Sequence, residues 1–314
     1  MLNRRFVRIK TMQALYAFWQ QEGGSIQAQR TFYDQSIEKL GLAYLTILDL
    51  LLAMRQLAIQ TDEHHRQKNY FNQDMVKPLI PFTENKVLEV LATHADLAAQ
   101  CSNLSVNWQK DYDKLKPLME SLAESNFFKR YMEGPAEDFQ GQKDFILTTY
   151  KWLMNESELL DSLMEDRFLS WDDDQPVVFA NVLKTVDSIK EDGTVVLCNE
   201  PDAEFLEIKK FGKDLLDKTI SHSEDYEKLI TNKTPNWDPE RIANTDYVLM
   251  KMALSEFLNF ESIPVKVTIN EYMELSKMYS TPKSYQFLNG VLDGLQKDLK
   301  AEGRMVKKGR GLVG

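Results

Sequence analysis

The chain has 314 residues, of which 43% are hydrophobic and 27% are charged, and its formal net charge is -10. This composition, with only 13 glycines and 10 prolines, excludes a disordered or fibrous protein and predicts a folded, soluble, helix-rich one. The 2 cysteines exclude a scaffold held together by disulfides and favour a reducing compartment, so we expect a cytoplasmic protein.

Positive charge is concentrated at the two ends of this acidic chain. Residues 1–10 and 300–314 together carry a net charge of +8, which leaves -18 on the residues between them. Acidic side chains over most of the surface oppose general attraction to polyanions. The distribution therefore predicts a local contact with an anion at the basic ends.

The first predicted helix begins in the basic run RRFVRIK. Cations at a helix N-terminus face the positive end of the macrodipole, which costs roughly 0.3–1 kcal/mol each. Arginine can instead make several hydrogen bonds to a phosphate, and Gln13 and Tyr16 continue the surface with an amide for base edges and a ring for stacking. The alternative is a solvated terminus whose charge has no role.

Neither a signal peptide nor a membrane span is predicted. Basic residues precede the apolar stretch MQALYAFW, but no small-residue cleavage site follows it. The longest apolar run, residues 42–53, contains Asp49 and is well short of the ~20 residues that cross a bilayer. We therefore expect a buried helix there and no membrane partner.

Helical periodicity continues through the middle of the chain. Breaks near Pro81 and Pro135 separate the predicted helices. TVVLC at 194–198 has no partner strand, which favours an extended connector. The predicted helices of this region cover residues 36–66, 84–101, 110–133 and 143–169.

No catalytic or metal-binding pattern stands out. The acidic cluster at 171–174 lacks the glycine and closing glutamate of a calcium loop, which favours an exposed turn. His64 and His65 are adjacent, so a helix directs them apart instead of onto one metal. Motifs of the GxSxG, Walker, GxGxxG and CxxC types do not occur. We therefore predict a protein that is not an enzyme and needs no cofactor.

The C-terminal third also shows helical periodicity, over residues 242–258 and 269–279. Pro264 predicts a break between these helices, and Thr268 with Glu271 predicts a capping box at the start of the second. A third helix follows residue 284.

The stretch SYQFLNGVLDGL in this last helix allows two interpretations. Phe287 is most simply a core residue. Alternatively, beside Lys283 and Gln286, it stacks on an RNA base where this end of the helix meets the first helix. Periodicity does not distinguish the two.

Two long blocks, residues 1–34 and 204–298, resemble the NusB transcription antitermination factors. The first is the basic arm leading into QALY. The second contains, in order, MALSEF, IPVKVTINEYMEL and FLNGVLDGL. The match is long, ordered and specific.

The resemblance implies an all-α bundle in two sub-bundles with an inserted helical subdomain. It implies binding to the boxA element of single-stranded nascent RNA, together with the small ribosomal subunit protein NusE, in the transcription elongation complex. Relatives carry a third arginine where this chain has Phe6, so we expect Lys10 or the basic tail to replace it. The RNA-binding residues so implied or expected are Arg4, Arg5, Arg8, Lys10, Gln13, Tyr16, Lys283, Gln286 and Phe287.

The NusE-facing surface of the family lies on the C-terminal helices. The resemblance assigns partner binding to Asp246, and Lys251 lies on the same predicted helix. Glu256 and the pair Asn270–Glu271 fit an intramolecular role equally well.

The chief departure from the family is an insertion of about half the chain. We predict an N-terminal RNA-binding helix over 1–35, a helical insertion of open role over 36–203, a C-terminal bundle over 204–299 and a basic flexible tail over 300–314. Two alternatives to the RNA adaptor remain. One is a protein scaffold in transcription or ribosome assembly, and the other is a module related to RNA methyltransferases without their catalytic domain.

Overall fold

A computed structural model describes residues 2–21, 24–67, 79–103, 108, 111–199, 201–235 and 243–308. Within these ranges the protein is all-α, as predicted, with 15 helices and no strand. In chain order the helices are α1 (Arg4–Gln20), α2 (Ile26–Gln67), α3 (Ile80–Thr83), α4 (Lys86–Thr93), α5 (Ala95–Asn103), α6 (Tyr112–Glu124), α7 (Asn126–Glu133), α8 (Phe139–Glu156), α9 (Glu158–Arg167), α10 (Trp171–Ser188), α11 (Ala203–Ser221), α12 (Ser223–Lys233), α13 (Asn244–Asn259), α14 (Val265–Tyr279) and α15 (Pro282–Ala301).

The chain divides into two compact units. The central unit is Glu38–Glu200, and the terminal unit is formed by Leu2–Ile37 together with Pro201–Gly314. Helix α2 supplies residues up to Ile37 to the terminal unit and the rest of its length to the central unit.

Three of the predicted central helices are each two helices in the structure. The breaks occur at His94, Ser125 and Ser157. His94 Nδ1 accepts a hydrogen bond from the Leu97 amide at 3.2 Å, and Ser157 Oγ accepts one from the Leu160 amide at 3.2 Å. These side chains bind the first free amides of the next helix, so a new helix begins without a change in apolar spacing.

The predicted buried helix at 42–53 lies within the much longer α2. By length and composition α2 is able to cross a bilayer, but core helices pass the same test. Tyr44, Leu48 and Leu51 are fully buried inside the central unit. The apolar run is therefore accounted for by the core of that unit.

Hydrogen bonds from ring side chains tie α2 into the central unit. Tyr150 of α8 donates to the Leu48 carbonyl at 2.7 Å, and the Trp108 indole donates to the Thr46 carbonyl at 3.0 Å. Beyond α2, α8 packs against α4 and α10, and α7 packs against α3 and α6. Residues 194–197 lie outside any helix or strand.

In the terminal unit α1 packs against α11 and α13, and α13 packs against α14 and α15. Gly212 of α11 allows a close approach of α1 and of Tyr33 on α2. A Cβ atom at Gly212 would lie 2.2 Å from the Tyr33 hydroxyl oxygen and 3.0 Å from Val7 Cβ. The Gly212 carbonyl also accepts a hydrogen bond from Thr11 Oγ1 at 3.0 Å, which fixes α1 along α11.

The described part of the predicted flexible tail is bound to the terminal unit. Lys307 Nζ donates to the carbonyls of Glu256 and Phe260 at the C-terminal end of α13, at 2.9 Å each. The Lys308 amide donates to the Glu261 carbonyl at 2.9 Å. Arg310 lies outside the described residues.

Candidate nucleic-acid interface

The basic start of α1 is stabilised by acids from other helices. Asn3 caps the helix by accepting a hydrogen bond from the Phe6 amide at 2.8 Å, and the first turn contains no acidic residue. The carboxylates that neutralise the arginines belong to Glu207 of α11, Glu256 of α13 and Glu271 of α14. Long-range ion pairs therefore offset the unfavourable interaction with the macrodipole.

Arg8 and Glu256 form a buried bidentate ion pair. Arg8 Nε is 2.6 Å from Glu256 Oε1 and Nη2 is 3.0 Å from Oε2, and the two side chains are 2% and 0% exposed. Burial alone would lower the pKa of Arg8, but the hydrogen bonds and charge of Glu256 outweigh it and raise that pKa. The guanidinium therefore stays charged inside the unit.

Hydroxyl groups complete the coordination of the Glu256 carboxylate. Tyr272 donates to Oε1 at 2.7 Å and Thr268 donates to Oε2 at 3.2 Å. Burial and the neighbouring Glu256 raise the pKa of Tyr272 well above its usual value. Of the two roles open to Glu256, the structure shows the intramolecular one.

The predicted capping box at Thr268 is wrong. Helix α14 begins three residues earlier, at Val265, and its N-cap is Pro264. Thr268 faces the core, and Glu271 accepts two hydrogen bonds from Arg5, at 3.0 and 2.8 Å. Pro264 ends the preceding turn and is itself the N-cap of α14. Thr268 therefore lies inside the helix and does not cap it.

Arg4 and Arg5 remain accessible. Their side chains are 46% and 47% exposed. Arg4 Nη2 lies 3.2 Å from Glu207 Oε1, and its guanidinium lies over the Phe211 ring at 5.6 Å. The hydrogen bond from Arg5 lowers the pKa of Glu271 despite partial burial of that carboxylate.

An open groove of about 580 Å³ lies beside these two arginines. Its walls come from the start of α1 and from the segment that leads into α14. They place three guanidinium groups beside the apolar side chains of Ile263, Pro264 and Val267. The lining side chains include Asn3, Arg4, Arg5, Arg8, Pro264 and Val267.

Arg8 and Lys10 do not lie where RNA contact requires them. Arg8 is bound to Glu256, and Lys10 is fully buried with its ammonium 5.1 Å from the centre of the Phe6 ring. Lys10 is therefore not a replacement for the arginine that relatives carry at the position of Phe6. Helical periodicity places these side chains inward because α1 is covered by both α11 and α13.

The α15 residues assigned to RNA are not among those that line the groove. Lys283 and Gln286 are exposed and Phe287 is half-buried, and none of the three lines the groove. Gln13 is half-buried on α1. The structure thus brings together Arg4 and Arg5 from the predicted RNA-binding set, with Arg8 beneath them.

A second cavity, of about 360 Å³, lies at the other end of α1. It brings together Tyr16, predicted to bind RNA, and Lys251, predicted to bind a partner. Trp19 and Tyr247 also line it, and sequence reasoning missed both. The available signal was the spacing of Tyr16 and Trp19, since residues three apart share one face of a helix.

The two residues assigned to partner binding are buried. Asp246 is 3% exposed, and its Oδ1 has no hydrogen-bond partner among the described residues. Lys251 Nζ donates to Ser223 Oγ at 2.9 Å and to Glu227 Oε2 at 3.1 Å. Direct contact with another protein needs exposed side chains, which neither of these is in the structure.

Other candidate sites from the sequence take structural roles. The cluster at 171–174 is the first turn of α10, where acids are favoured by the macrodipole, and Trp171 and Asp174 within it are buried. The described residues contain no group of three or more histidine, cysteine, aspartate or glutamate side chains placed to hold a metal. The side chains of His64 and His65 lie outside the described part.

The comparisons with known proteins point to one family. Residues 188–297 match the family model described as the NusB family. A transcription antitermination protein NusB of Salinibacter ruber is 42% identical over 106 residues, which are 34% of this chain and 66% of that protein. The NusB of Chloroherpeton thalassium is 38% identical over 108 residues, 34% of this chain and 51% of that protein.

A third relative, the NusB of Koribacter versatilis, is 38% identical over 96 residues, which are 31% of this chain and 66% of that protein. The chain thus spans about half to two thirds of the length of the curated relatives that it matches. No solved structure matches it.

Proposed function

Because this chain carries a NusB-family domain over residues 188–297, we propose that it is an RNA-binding transcription antitermination factor whose groove at the start of α1 binds single-stranded RNA. The observation that carries the proposal is the half-exposed pair Arg4 and Arg5 beside that groove, on an otherwise acidic protein. Following the family, the RNA is boxA-like, the partner protein is NusE, and both act in the cytoplasm with the elongating polymerase.

The ion pairs of Arg4 and Arg5 are compatible with phosphate binding. Exposed ion pairs contribute only about 0–1 kcal/mol, because water already solvates both charges. A phosphate offers each guanidinium a charge-assisted, bidentate contact of the same kind. RNA can therefore displace Glu207 at small cost. Displacing Glu271 costs more, because its carboxylate is only 19% exposed and accepts two hydrogen bonds from Arg5, and the buried carboxylate of Glu256 keeps Arg8.

Arg8 supports the groove from below. Its Nη1 lies 3.5 Å from Glu271 Oε2, so the same carboxylate contacts both Arg5 and Arg8. The rigid pair of Arg8 with Glu256 fixes the start of α1 against α13 and α14. In this proposal Arg8 positions the two arginines that touch RNA.

The acidic surface sets the expected affinity. With a net charge of -10, the protein repels RNA outside the basic arm. Two phosphate contacts supply limited binding energy on their own, so RNA alone should bind modestly and NusE should strengthen it. The proposal for NusE rests on the family relationship, because Asp246 and Lys251 are buried.

The test is binding of a boxA-like single-stranded RNA by fluorescence anisotropy, with and without NusE, for wild type and Arg4→Ala/Arg5→Ala. We expect the double variant to bind roughly 10-fold or more weakly, since hydrogen bonds to charged groups contribute about 1.5–3 kcal/mol. The slope of log K against log salt should fall by roughly 0.7 for each lost phosphate contact.

Lys114→Ala/Lys116→Ala is the matched control. It removes two exposed cations of the central unit that also pair with carboxylates, of Asp111 and Glu120. This variant should bind RNA like wild type. Equal binding by wild type and the arginine variant would reject the groove as the RNA site and favour the protein-scaffold alternative.

A further inference from the structure

Residues 304–308, which we call the C-terminal segment, lie against one wall of the groove. Lys307 Nζ and the Ile263 amide both donate to the Phe260 carbonyl, at 2.9 and 3.2 Å. Ile263 lines the groove together with Arg4 and Arg5. The C-terminal segment is therefore held next to the wall that leads into α14.

The side chains of the C-terminal segment alternate between solvent and protein. Arg304, Val306 and Lys308 are exposed, while the residues between them are partly buried. Successive side chains of a chain outside a helix can point to opposite sides in this way. Lys307 therefore uses its ammonium to hold the segment in place, and Lys308 directs its ammonium outward.

The exposed cations of the C-terminal segment have only weakly held partners. Lys308 is 72% exposed and lies 2.8 Å from a carboxylate oxygen of Glu261, which is 50% exposed. Arg304 is 44% exposed and lies 3.2 Å from a carboxylate oxygen of Glu302. Exposed ion pairs contribute little to stability, because water already solvates both charges. A phosphate can therefore replace either carboxylate.

The charge of this end of the chain suits a polyanion. Residues 300–314 carry five cations and one acid, although the whole chain has a net charge of -10. The basic start of α1 and the C-terminal segment thus bring positive charge to the same groove from both ends of the sequence. Single-stranded RNA carries a negative charge at every nucleotide, so one strand can satisfy cations at both places.

We infer that the C-terminal segment is a second phosphate-binding edge of the RNA groove, where Lys308 and Arg304 contact the strand whose other phosphates contact Arg4 and Arg5. Lys307 is a positioning residue that holds this edge beside the groove. The inference rests on the proposed function. It also assigns to the tail the positive charge that the buried Lys10 does not supply.

The test measures binding of a boxA-like single-stranded RNA by fluorescence anisotropy for wild type and Arg304→Ala/Lys308→Ala, with circular dichroism melts to confirm folding. We expect the double variant to bind about 5-fold or more weakly at low salt, because exposed charge pairs of this kind each contribute a few-fold. The slope of log K against log salt should fall by roughly 0.7 for each lost phosphate contact. Arg304→Lys/Lys308→Arg keeps both charges and should bind like wild type.

Shortening the RNA from each end separates a local contact from general attraction. Once one end no longer reaches the C-terminal segment, wild type and Arg304→Ala/Lys308→Ala should bind equally. The same short RNA should still distinguish wild type from Arg4→Ala/Arg5→Ala. A difference between wild type and the tail variant that persists at every RNA length would mean that the tail acts only through net charge, which overturns the inference.

Lys228→Ala is the matched control for the loss of an exposed cation. Lys228 is 73% exposed, pairs with Asp225 at 3.7 Å, and does not line the groove. It should bind RNA like wild type, and an equal loss of affinity in Lys228→Ala and Lys308→Ala would reject a specific contact. If the tail variant binds like wild type while Arg4→Ala/Arg5→Ala binds weakly, the inference is wrong and the proposed function stands. If no protein in the set binds RNA, both fail.

Discussion

The two units bury polar groups by opposite means. The terminal unit buries the charges of Arg8 and Glu256 as an ion pair. The central unit instead buries a chain of neutral groups, in which Tyr44 and Thr185 share a hydrogen bond of 2.7 Å and the Cys198 amide donates to Tyr44 at 3.2 Å. Both solutions satisfy buried polar atoms, but they differ in what happens when one partner is lost.

A neutral hydroxyl network tolerates loss better than an ion pair. Removing one hydroxyl leaves a polar group that costs about 1–3 kcal/mol, whereas removing one ion leaves an uncompensated buried charge. A buried ion pair is also stable only when its two side chains meet in a narrow range of geometries. It therefore fixes how the helices that carry the two residues pack. The terminal unit places this pair directly beneath Arg4 and Arg5, where the orientation of α1 decides what the groove presents.

The interior of the central unit is not wholly neutral, since Lys143 and Asp174 are also buried there. Asp49 of α2 is largely buried, and burial raises its pKa to about 6. Burial also raises the pKa of Cys101 to about 12, and the charge of Asp49 adds to that effect. The comparison therefore predicts opposite responses to the removal of charge, with loss of stability in the terminal unit and a gain in the central unit.

The largest expected effect is that of Glu256→Gln. The amide keeps the shape of the side chain but leaves the buried Arg8 guanidinium with only the more distant carboxylate of Glu271, 3.5 Å from its Nη1, as a counter-charge. Breaking a buried pair in this way costs up to roughly 3–5 kcal/mol. Urea unfolding at neutral pH, followed by circular dichroism, measures the change in the free energy of unfolding. RNA affinity should fall as well, because the start of α1 loses its anchor.

The double variant Arg8→Leu/Glu256→Leu separates the pair from its surroundings. Replacing both charges with apolar groups removes the buried ion, so most of the lost stability should return. A cost below about 1 kcal/mol for Glu256→Gln would contradict the account of a demanding buried charge. Failure of the double variant to recover stability would show that the hydroxyls of Thr268 and Tyr272 carry the effect.

The second effect is the pH dependence introduced by Asp49. A raised pKa means that the folded state binds the proton more tightly than the unfolded state, whose carboxyl titrates near ~4. Stability should therefore fall as pH rises from about 4 to above the folded pKa of about 6. At pH 7.5 Asp49→Asn should be more stable than wild type by roughly 1–3 kcal/mol, and at pH 4 this advantage should disappear.

Urea unfolding of wild type and Asp49→Asn across that pH range isolates this one carboxyl, because all other titrating groups are common to both proteins. Glu63→Gln is a control on the same helix, since Glu63 is exposed. Its advantage at high pH should be absent or much smaller. An Asp49→Asn advantage that does not vary with pH would show that ionisation of Asp49 is not its cause.

Local patterns were sufficient to predict the fold class and the basic start of α1. Apolar residues at helical spacing predict α1, α13 and α14 because each helix buries one stripe against its neighbours. The same spacing does not reveal where a capped residue such as Ser157 starts a new helix. Helical spacing also does not reveal that α1 is covered on two sides. This covering is the reason that Arg8 and Lys10 are buried.

The partners of the charged residues depend on tertiary packing and could not be predicted. Arg8 and Glu256 are 248 positions apart, and no local rule joins them. The second cavity likewise combines α1 with α13, so Trp19 and Tyr247 had no visible connection. The sequence grouped three arginines together, and only the coordinates separate the buried Arg8 from the accessible Arg4 and Arg5.

The smallest predicted effect concerns Lys307, which contacts the C-terminal end of α13. Lys307 Nζ donates to the carbonyls of Glu256 and Phe260 at the C-terminal end of α13, in addition to the backbone hydrogen bonds that these carbonyls accept from the Phe260 and Ile263 amides. Burial lowers the pKa of that ammonium. Lys307→Ala removes a cation from a helix C-terminus and should cost roughly 0.5–1 kcal/mol in urea unfolding at neutral pH. Lys308→Ala, which removes a neighbouring ammonium exposed beside Glu261, should cost less. Equal costs for the two variants would mean that the tail contributes general positive charge and that Lys307 does not cap α13.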